Sequence, residues 1–207
     1  MEIQYFGGNC IKITTKKASV VIDDNLADLG QKTITKADDI AVFTGQHGEA
    51  KGRLLVDQPG EYEVSDVSIT GIAARGHIDE ADVKNSTIYK IEAEELRVVV
   101  LGHIYPELSE SQLENLGLVD VLLVPVGGHG FTLDSIGALQ VIKKIEPKIV
   151  VPTNYADEEL KYPVPAEELD EVLKGLAMEP KERISKLKIK GGDLLGSDQT
   201  QLIILER

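Results

Sequence analysis

The chain has 207 residues, of which 42% are hydrophobic, and carries a formal net charge of −13 at pH 7. This length and apolar content suit one core of moderate size, so we expect a single domain spanning residues 1–207. The negative charge repels phosphate backbones and disfavours unassisted nucleic-acid binding. The longest apolar runs are far shorter than the roughly 20 residues that cross a bilayer, so no membrane span is predicted.

The start of the chain and its single cysteine both favour a cytoplasmic protein. The first residues lack the basic stretch and apolar segment of a secretory signal and continue directly into strand-like sequence. Cys10 has no partner for an internal disulfide, as is typical of a reducing compartment. Free cysteine is among the most buried residue types, so we expect Cys10 to be a core residue rather than a catalytic thiol.

The first half of the chain is predicted to consist of strands. Its β-branched segments are separated by polar and glycine-containing breaks. Apolar residues alternate between Gly60 and Ala73 around the turn-forming pair Ser65 and Asp66, which predicts a hairpin. The other predicted strands are 11–15, 19–22, 40–43, 87–91 and 97–101.

Strands and helices alternate in the second half, a pattern typical of α/β folds. The predicted order is a helix at 109–116, a strand at 119–125, a helix at 134–145, a strand at 149–152, a helix at 166–176 and a strand at 201–205. The longest of these helices has one apolar face, with Thr132 and Asp134 as candidate caps and Pro147 after its end.

The four histidines are the candidate functional residues, because each follows a predicted strand. They are His47, His77, His103 and His129. Loops at the strand ends of an α/β sheet often converge on one crevice. Three neutral imidazoles with a water in the fourth position form a known catalytic zinc arrangement. For His129, a solvated surface position is the stronger expectation.

Several motifs resemble one protein family, in the same order along nearly the whole chain. They are Tyr5-Phe-Gly-Gly-Asn-Cys10, Thr44-Gly-Gln-His-Gly-Glu-Ala50, Gly60-Glu-Tyr-Glu-Val64, Leu101-Gly102, Val124-Pro-Val-Gly-Gly128 and Pro147 to Tyr155. The chain thus resembles the metallo-β-lactamase-fold hydrolases, and is similar to the Zn-dependent hydrolases of this fold and the ascorbate-6-phosphate lactonase group. The resemblance implies an α/β fold, a four-layer αββα sandwich of metallo-β-lactamase type.

The first metal motif of this family is altered in the chain. In the family, T-H-x-H-x-D-H contributes ligands to two metal ions that activate a bridging hydroxide. Here Gly45 and Ala50 replace two of its histidines, His47 is retained, and Glu49 replaces the aspartate. The resemblance therefore implies a degenerate metal motif.

The later ligand positions of the family are also partly changed. His77 matches the histidine that follows the hairpin, and His103 stands where the metal-bridging aspartate lies. Asn154 replaces the last histidine, and a neutral amide is a weak zinc ligand. Asp23 and Asp24 could orient ligands from a strand end, with turn and capping roles at least as strongly expected.

This alignment leaves His47, His77 and His103 as candidate ligands of at most one divalent transition metal, with zinc as the first expectation. Glu49 is the candidate catalytic residue, acting as a general base or water orienter. A two-metal centre is not expected, and the site could also hold no metal.

Two functions remain open at this point. One is a hydrolase with an altered, at most mononuclear metal site that acts on an ester, lactone or phosphoester. The alternative is a metal-free pseudoenzyme that binds a small molecule or a protein partner in the same cleft. Metal-free hydrolysis by Cys10, Ser86 or Thr132 has little support, because the Gly-x-Ser-x-Gly elbow is missing. The expected partner is a small molecule, with no nucleic acid or membrane; a homo-oligomer is left open.

Overall fold

Strands dominate the computed structural model, which describes residues 1–48, 51–194 and 199–207. The strands are β1 (Glu2–Gly7), β2 (Cys10–Thr14), β3 (Ser19–Ile22), β4 (Ile40–Val42), β5 (Leu54–Val56), β6 (Gly60–Val64), β7 (Val67–Ala74), β8 (Ser86–Ala93), β9 (Leu96–Val100), β10 (Val121–Pro125), β11 (Ile149–Thr153), β12 (Pro180–Ile184), β13 (Leu187–Lys188) and β14 (Gln201–Leu205). The helices are α1 (Glu110–Leu116), α2 (Ser135–Ile145), α3 (Leu169–Leu176) and a 3-10 helix at Gly191–Leu194.

These strands form two sheets. The first has the order β13-β1-β2-β3-β4-β5, and the second has the order β12-β14-β11-β10-β9-β8-β7-β6. In the first sheet β3, β4 and β5 are parallel. In the second sheet the run from β9 through β10, β11 and β14 to β12 is parallel. The carboxyl ends of neighbouring parallel strands meet at one edge, which is where such folds place their loops for binding.

One hydrophobic core joins the two sheets. Ile3 and Tyr5 point from β1 into the same buried cluster as β10 and β11. Every residue of β10 and β11 is buried. A parallel strand that is covered on both faces is apolar throughout, and α2 packs on β10 to cover the outer face. The buried face of α2 consists of Gly137, Ala138, Val141, Ile142 and Ile145.

The predicted α/β sandwich is confirmed, with two sheets face to face and the described α-helices on the side of the second sheet. α2 packs on β10, and α3 packs on α2. The outer face of the first sheet carries a small cluster in which Cys10 and Val21 contact Leu26 and Phe6. Leu26 belongs to a segment of turns, so this face is covered without an α-helix. Cys10 is 1% exposed and is a packing residue, as predicted.

Local signals placed most elements correctly. Ser65 and Asp66 both have positive φ, 52° and 58°, which fits the predicted two-residue hairpin turn between β6 and β7. Asp134 is the N-cap of α2 and accepts a hydrogen bond of 2.7 Å from the Gly137 amide, whereas Thr132 is not the cap. None of the helices in the described residues is long and apolar enough to span a bilayer.

Among the differences from the predicted elements, two have clear physical causes. α3 begins at Leu169 rather than at residue 166, because the backbone of Glu167 bonds to Gly127 and Ala156 outside the helix. The strand β12 was not predicted. Its sequence Pro-Lys-Glu-Arg-Ile lies at an exposed edge and lacks apolar alternation.

A buried carboxylate fixes the end of the second sheet that lies at the amino terminus of β10. Asp120 is 2% exposed and accepts hydrogen bonds from the Arg97 amide and from its guanidinium Nε, at 3.0 and 2.9 Å. Lys148 Nζ lies 3.1 Å from the same carboxylate. Burial by itself raises the pKa of Asp120, but hydrogen bonds from Arg97 and Lys148 outweigh it and lower the pKa below its ordinary value.

We expect Asp120→Asn to lower the free energy of unfolding by about 1.5–3 kcal/mol at pH 7, the contribution typical of hydrogen bonds to charged groups. Because the folded pKa is lowered, this stabilisation is present above the unfolded pKa of about 3.9 and is lost as the pH falls. Urea unfolding should therefore show a larger difference from wild type at pH 7 than at about pH 3. Asp170→Asn, whose side chain is 82% exposed, is the matched control and should change little. Equal losses at both pH values would contradict this assignment.

Candidate functional site

A cavity of about 470 Å³ opens where strands of both sheets end. Its walls come from the loops after β1, β3, β4, β7, β9, β10 and β11, together with Ser86 at the start of β8. The polar side chains in the lining include Asn9, Asp23, Asn25, Asp28, Thr44, Gln46, His77, Asp79, Asn85, Ser86, His103, Asn154 and Tyr162. The apolar ones are Leu29, Ile78, Phe131 and Pro163. The lining is thus mainly polar, and we call these four apolar side chains the apolar wall.

The floor of the cavity is a hydrogen-bond network around Asp23. This buried carboxylate accepts hydrogen bonds from Asn9 Nδ2 at 2.6 Å and from the amide and hydroxyl of Thr44 at 2.7 and 2.6 Å. Thr153, at the end of β11, donates to Asn9 Oδ1 at 2.5 Å, so the network joins the two sheets. Burial raises the pKa of Asp23, although hydrogen bonds from Thr44 and Asn9 act in the opposite direction.

His77 and His103 lie side by side in this cavity. The amide of His77 donates to the carbonyl of His103 at 2.8 Å, next to a β-bridge between Gly76 and Ile104. The His103 ring lies 4.8 Å from the ring of Phe131, and its Nδ1 atom is buried without a partner in the described residues. Burial, with a further contribution from His77, lowers the pKa of His103 to about 4. The imidazole of His103 is therefore neutral at pH 7.

His47 faces a different pocket. Its ring stacks on Phe43 with 4.3 Å between centroids. Nε2 lies 3.2 Å from the Asp57 carboxylate and Nδ1 lies 2.5 Å from the Gly48 carbonyl. This pocket of about 440 Å³ adjoins the cavity through Thr44, Gly45, Gln46 and Asn85, which line both. The structure thus brings together two of the three predicted metal ligands and holds the third beside them.

The described side chains in this arrangement are not grouped as the ligands of one metal ion. Within residues 1–48, 51–194 and 199–207, no three His, Cys, Asp or Glu side chains are grouped so that they could share an ion. Both ring nitrogens of His47 face acceptors, and Gly45 and Asn154 contribute no imidazole to the cavity. The predicted catalytic residue Glu49 and its neighbour Ala50 lie outside the described residues.

The other residues singled out from the sequence have separate locations. His129 is exposed, with a positive φ of 52°, and does not line the cavity. Ser86 is in the lining, whereas Thr132 is 1% exposed and its hydroxyl has no partner among the described residues. Cys10 lies behind the first sheet, and burial raises the pKa of its thiol. Asp24 accepts hydrogen bonds from the backbone of residues 34–35, which is a turn-stabilising role.

The apolar wall of the cavity was not predicted from the sequence. Ile78 directly follows His77 and is 73% exposed. Phe131 lies beside His103, and Leu29 and Pro163 complete the wall. The only sequence signal for this wall was an apolar residue next to a candidate site histidine. A single apolar residue in a loop shows no periodicity, so this signal was not recognised.

Comparisons with known proteins agree with this architecture. The sequence matches the family model described as Beta-lactamase superfamily domain over residues 2–154. A candidate Zn-dependent hydrolase of the metallo-β-lactamase superfamily from Thermotoga maritima is similar over 100% of both chains, with a TM-score of 0.75 and 24% identity. Igni18, a metallo hydrolase from Ignicoccus hospitalis, has a TM-score of 0.63 and 16% identity over 99% of this chain and 94% of its own.

A candidate metal-dependent hydrolase from Parabacteroides distasonis has a TM-score of 0.66 and 16% identity, over 99% of this chain and 93% of its own. No curated protein matches the sequence. At these identities the structural likeness establishes the fold, and the family match covers most of the chain.

The imidazole of His103, whose Nδ1 atom is buried, leads to a pH-dependent prediction. We expect an NMR titration to give His103 a pKa of about 4, because burial disfavours the imidazolium form. The unfolded residue titrates near about 6.5, so His103 should contribute stability that increases from about pH 4 to about pH 6.5. Urea unfolding of His103→Gln should lack this contribution, whereas the exposed control His129→Gln should retain it. A His103 pKa close to the unfolded value would contradict its burial.

Proposed function

The chain belongs to the Beta-lactamase superfamily domain family, the metallo-β-lactamase-fold hydrolases, and we propose that it binds a small molecule in its cleft without the paired metal ions that the family motif holds. The observation that carries this proposal is the separation of the candidate ligands. His77 and His103 line the cavity, whereas Asp57 and Gly48 hold His47 in the neighbouring pocket. The replaced ligand positions support the same conclusion.

The cavity is suited to hydrogen bonding. Its volume of about 470 Å³ falls within the range of small-molecule sites, about 300–1,000 Å³. Asn154 and Asn85 provide amide groups that both donate and accept, and Ser86 provides a hydroxyl. The network around Asp23 holds Asn9 and Thr44 in fixed positions, so less conformational entropy is lost when a ligand binds.

A second candidate function is a hydrolase with one divalent metal ion. One observation favours it: His77 and His103 are held together by a backbone hydrogen bond, and His103 is neutral, as a ligating imidazole must be. The third ligand would be His47, after rotation away from Asp57, and Glu49 would hold or move a proton. The ion would supply Lewis acidity toward an ester, lactone or phosphoester.

Gly45 offers a direct test, because a Cβ atom at this position would meet no heavy atom within 4 Å. Gly45→His would add a third imidazole at the cavity that His77 and His103 line. After dialysis of untagged protein, we expect elemental analysis to find well under one equivalent of zinc in wild type and close to one in Gly45→His, because three imidazoles form a zinc site.

Gly48→His is the matched control, since a Cβ there also meets nothing within 4 Å but Gly48 does not line the main cavity. It should bind no more zinc than wild type. One equivalent of zinc in wild type that is lost in His47→Ala, His77→Ala and His103→Ala would overturn the metal-free proposal and support the hydrolase. Equal gains in both glycine variants would show that the added zinc does not report on this cavity.

A further inference from the structure

The described lining of the main cavity contains no lysine and no arginine. It contains three aspartates, Asp23, Asp28 and Asp79. Asp28 is exposed, and Asp79 accepts a hydrogen bond of 2.9 Å from the Gly76 amide. An anion entering the cavity would approach these carboxylates with no Lys or Arg in the lining to balance them. The net charge of −13 adds repulsion at longer range.

Two arginine side chains near the cavity, Arg75 and Arg207, have interaction partners of their own. The guanidinium of Arg75 lies 3.8 Å above the centre of the Tyr105 ring, and its Nε donates to the Asp79 carbonyl. Arg207 forms an ion pair with Asp157 at 3.4 Å. Neither arginine lines the cavity, although the Asp79 carbonyl that Arg75 contacts belongs to a lining residue.

The apolar wall adds a second requirement. Ile78 exposes 73% of its surface beside the cavity, and Phe131 presents an aromatic ring next to His103. Covering such surface releases water and contributes about 25 cal/mol for each Å² that is buried. An aromatic ring also attracts cations through its negative face. The wall therefore suits a ligand with a flat apolar part.

From these two features we propose that the cavity selects a neutral or positively charged small molecule with a flat apolar face, and discriminates against carboxylates and phosphoesters. The flat part would lie against Phe131 and Ile78, and the polar part would hydrogen-bond to the asparagine side chains. A positive charge would be attracted by Asp28 and Asp79. This inference rests on the proposed function, that the cavity binds a small molecule.

Three probes that share one ring and differ in charge test the proposal: benzylamine, benzyl alcohol and benzoate. Their binding to the full chain at constant ionic strength is followed by amide chemical shifts in ¹H–¹⁵N spectra. We expect benzylamine and benzyl alcohol to shift the amides of His77, Ile78 and Phe131, and benzoate to bind about tenfold more weakly. A tenfold difference corresponds to about 1.4 kcal/mol, comparable to the interaction of two unit charges about 4 Å apart near water.

Two variants and one control separate the effect of charge on binding from the effect of packing. Asp28→Asn with Asp79→Asn should reduce the preference for benzylamine over benzoate by about tenfold, because two of the carboxylates become neutral. Glu114→Gln, an exposed position on α1, changes the net charge in the same direction and should leave the preference unchanged. Phe131→Ala should lower the affinity of the cavity for every probe that binds.

The outcomes distinguish this inference from the proposed function. Equal binding of benzoate and benzylamine at the cavity would overturn charge selection while leaving a small-molecule site in place. A preference that falls equally in Glu114→Gln would assign the effect to the overall charge and overturn the role of Asp28 and Asp79. Cavity amides that none of the probes shifts, at the highest soluble concentration, would overturn the proposed function as well.

Discussion

The buried carboxylate of Asp23 holds the loops of the site in place. Asp23 lies immediately after β3 with a left-handed φ of 47°, a conformation that few residues other than glycine, asparagine and aspartate adopt easily. Its donors come from the loops after β1 and β4, and Thr153 extends the network to the second sheet. A buried carboxylate without these donors would be strongly destabilising. The cavity floor is therefore held in place by hydrogen bonds within the folded chain.

This arrangement explains how the scaffold persists while the ligand positions change. Gly102 has a φ of 64°, and a Cβ atom there would lie 2.4 Å from the Thr44 hydroxyl, so a larger residue would disturb the floor. A Cβ at Gly45, by contrast, would meet nothing within 4 Å. The backbone N–H of Asn154 donates to the Gly8 carbonyl, and this hydrogen bond holds the loop in position whatever side chain residue 154 carries. The backbone contacts that hold these loops therefore do not depend on which side chains stand at the metal-ligand positions.

Continuous apolar runs and helical periodicity made β10, β11 and α2 predictable. The rule that loops converge at strand ends correctly placed His77 and His103 in one cavity. The orientation of His47 was not predictable in the same way. Its partner Asp57 follows β5, a short edge strand that the sequence pattern did not reveal, and the parallel pairing of β5 with β4 brings the two residues together. Local sequence patterns cannot predict side-chain contacts that depend on a strand pair which the same patterns did not predict.

The strand order also has a consequence for synthesis on the ribosome. β14 lies between β11 and β12 in the second sheet, and β13 pairs with β1 at the edge of the first. Neither sheet can be completed until residues 187–205 have emerged, and until then the fully buried apolar strand β11 has an open edge. Unpaired apolar edges in nascent chains are prone to intermolecular pairing. The apolar edge of β11 therefore stays open until β14 has been synthesised.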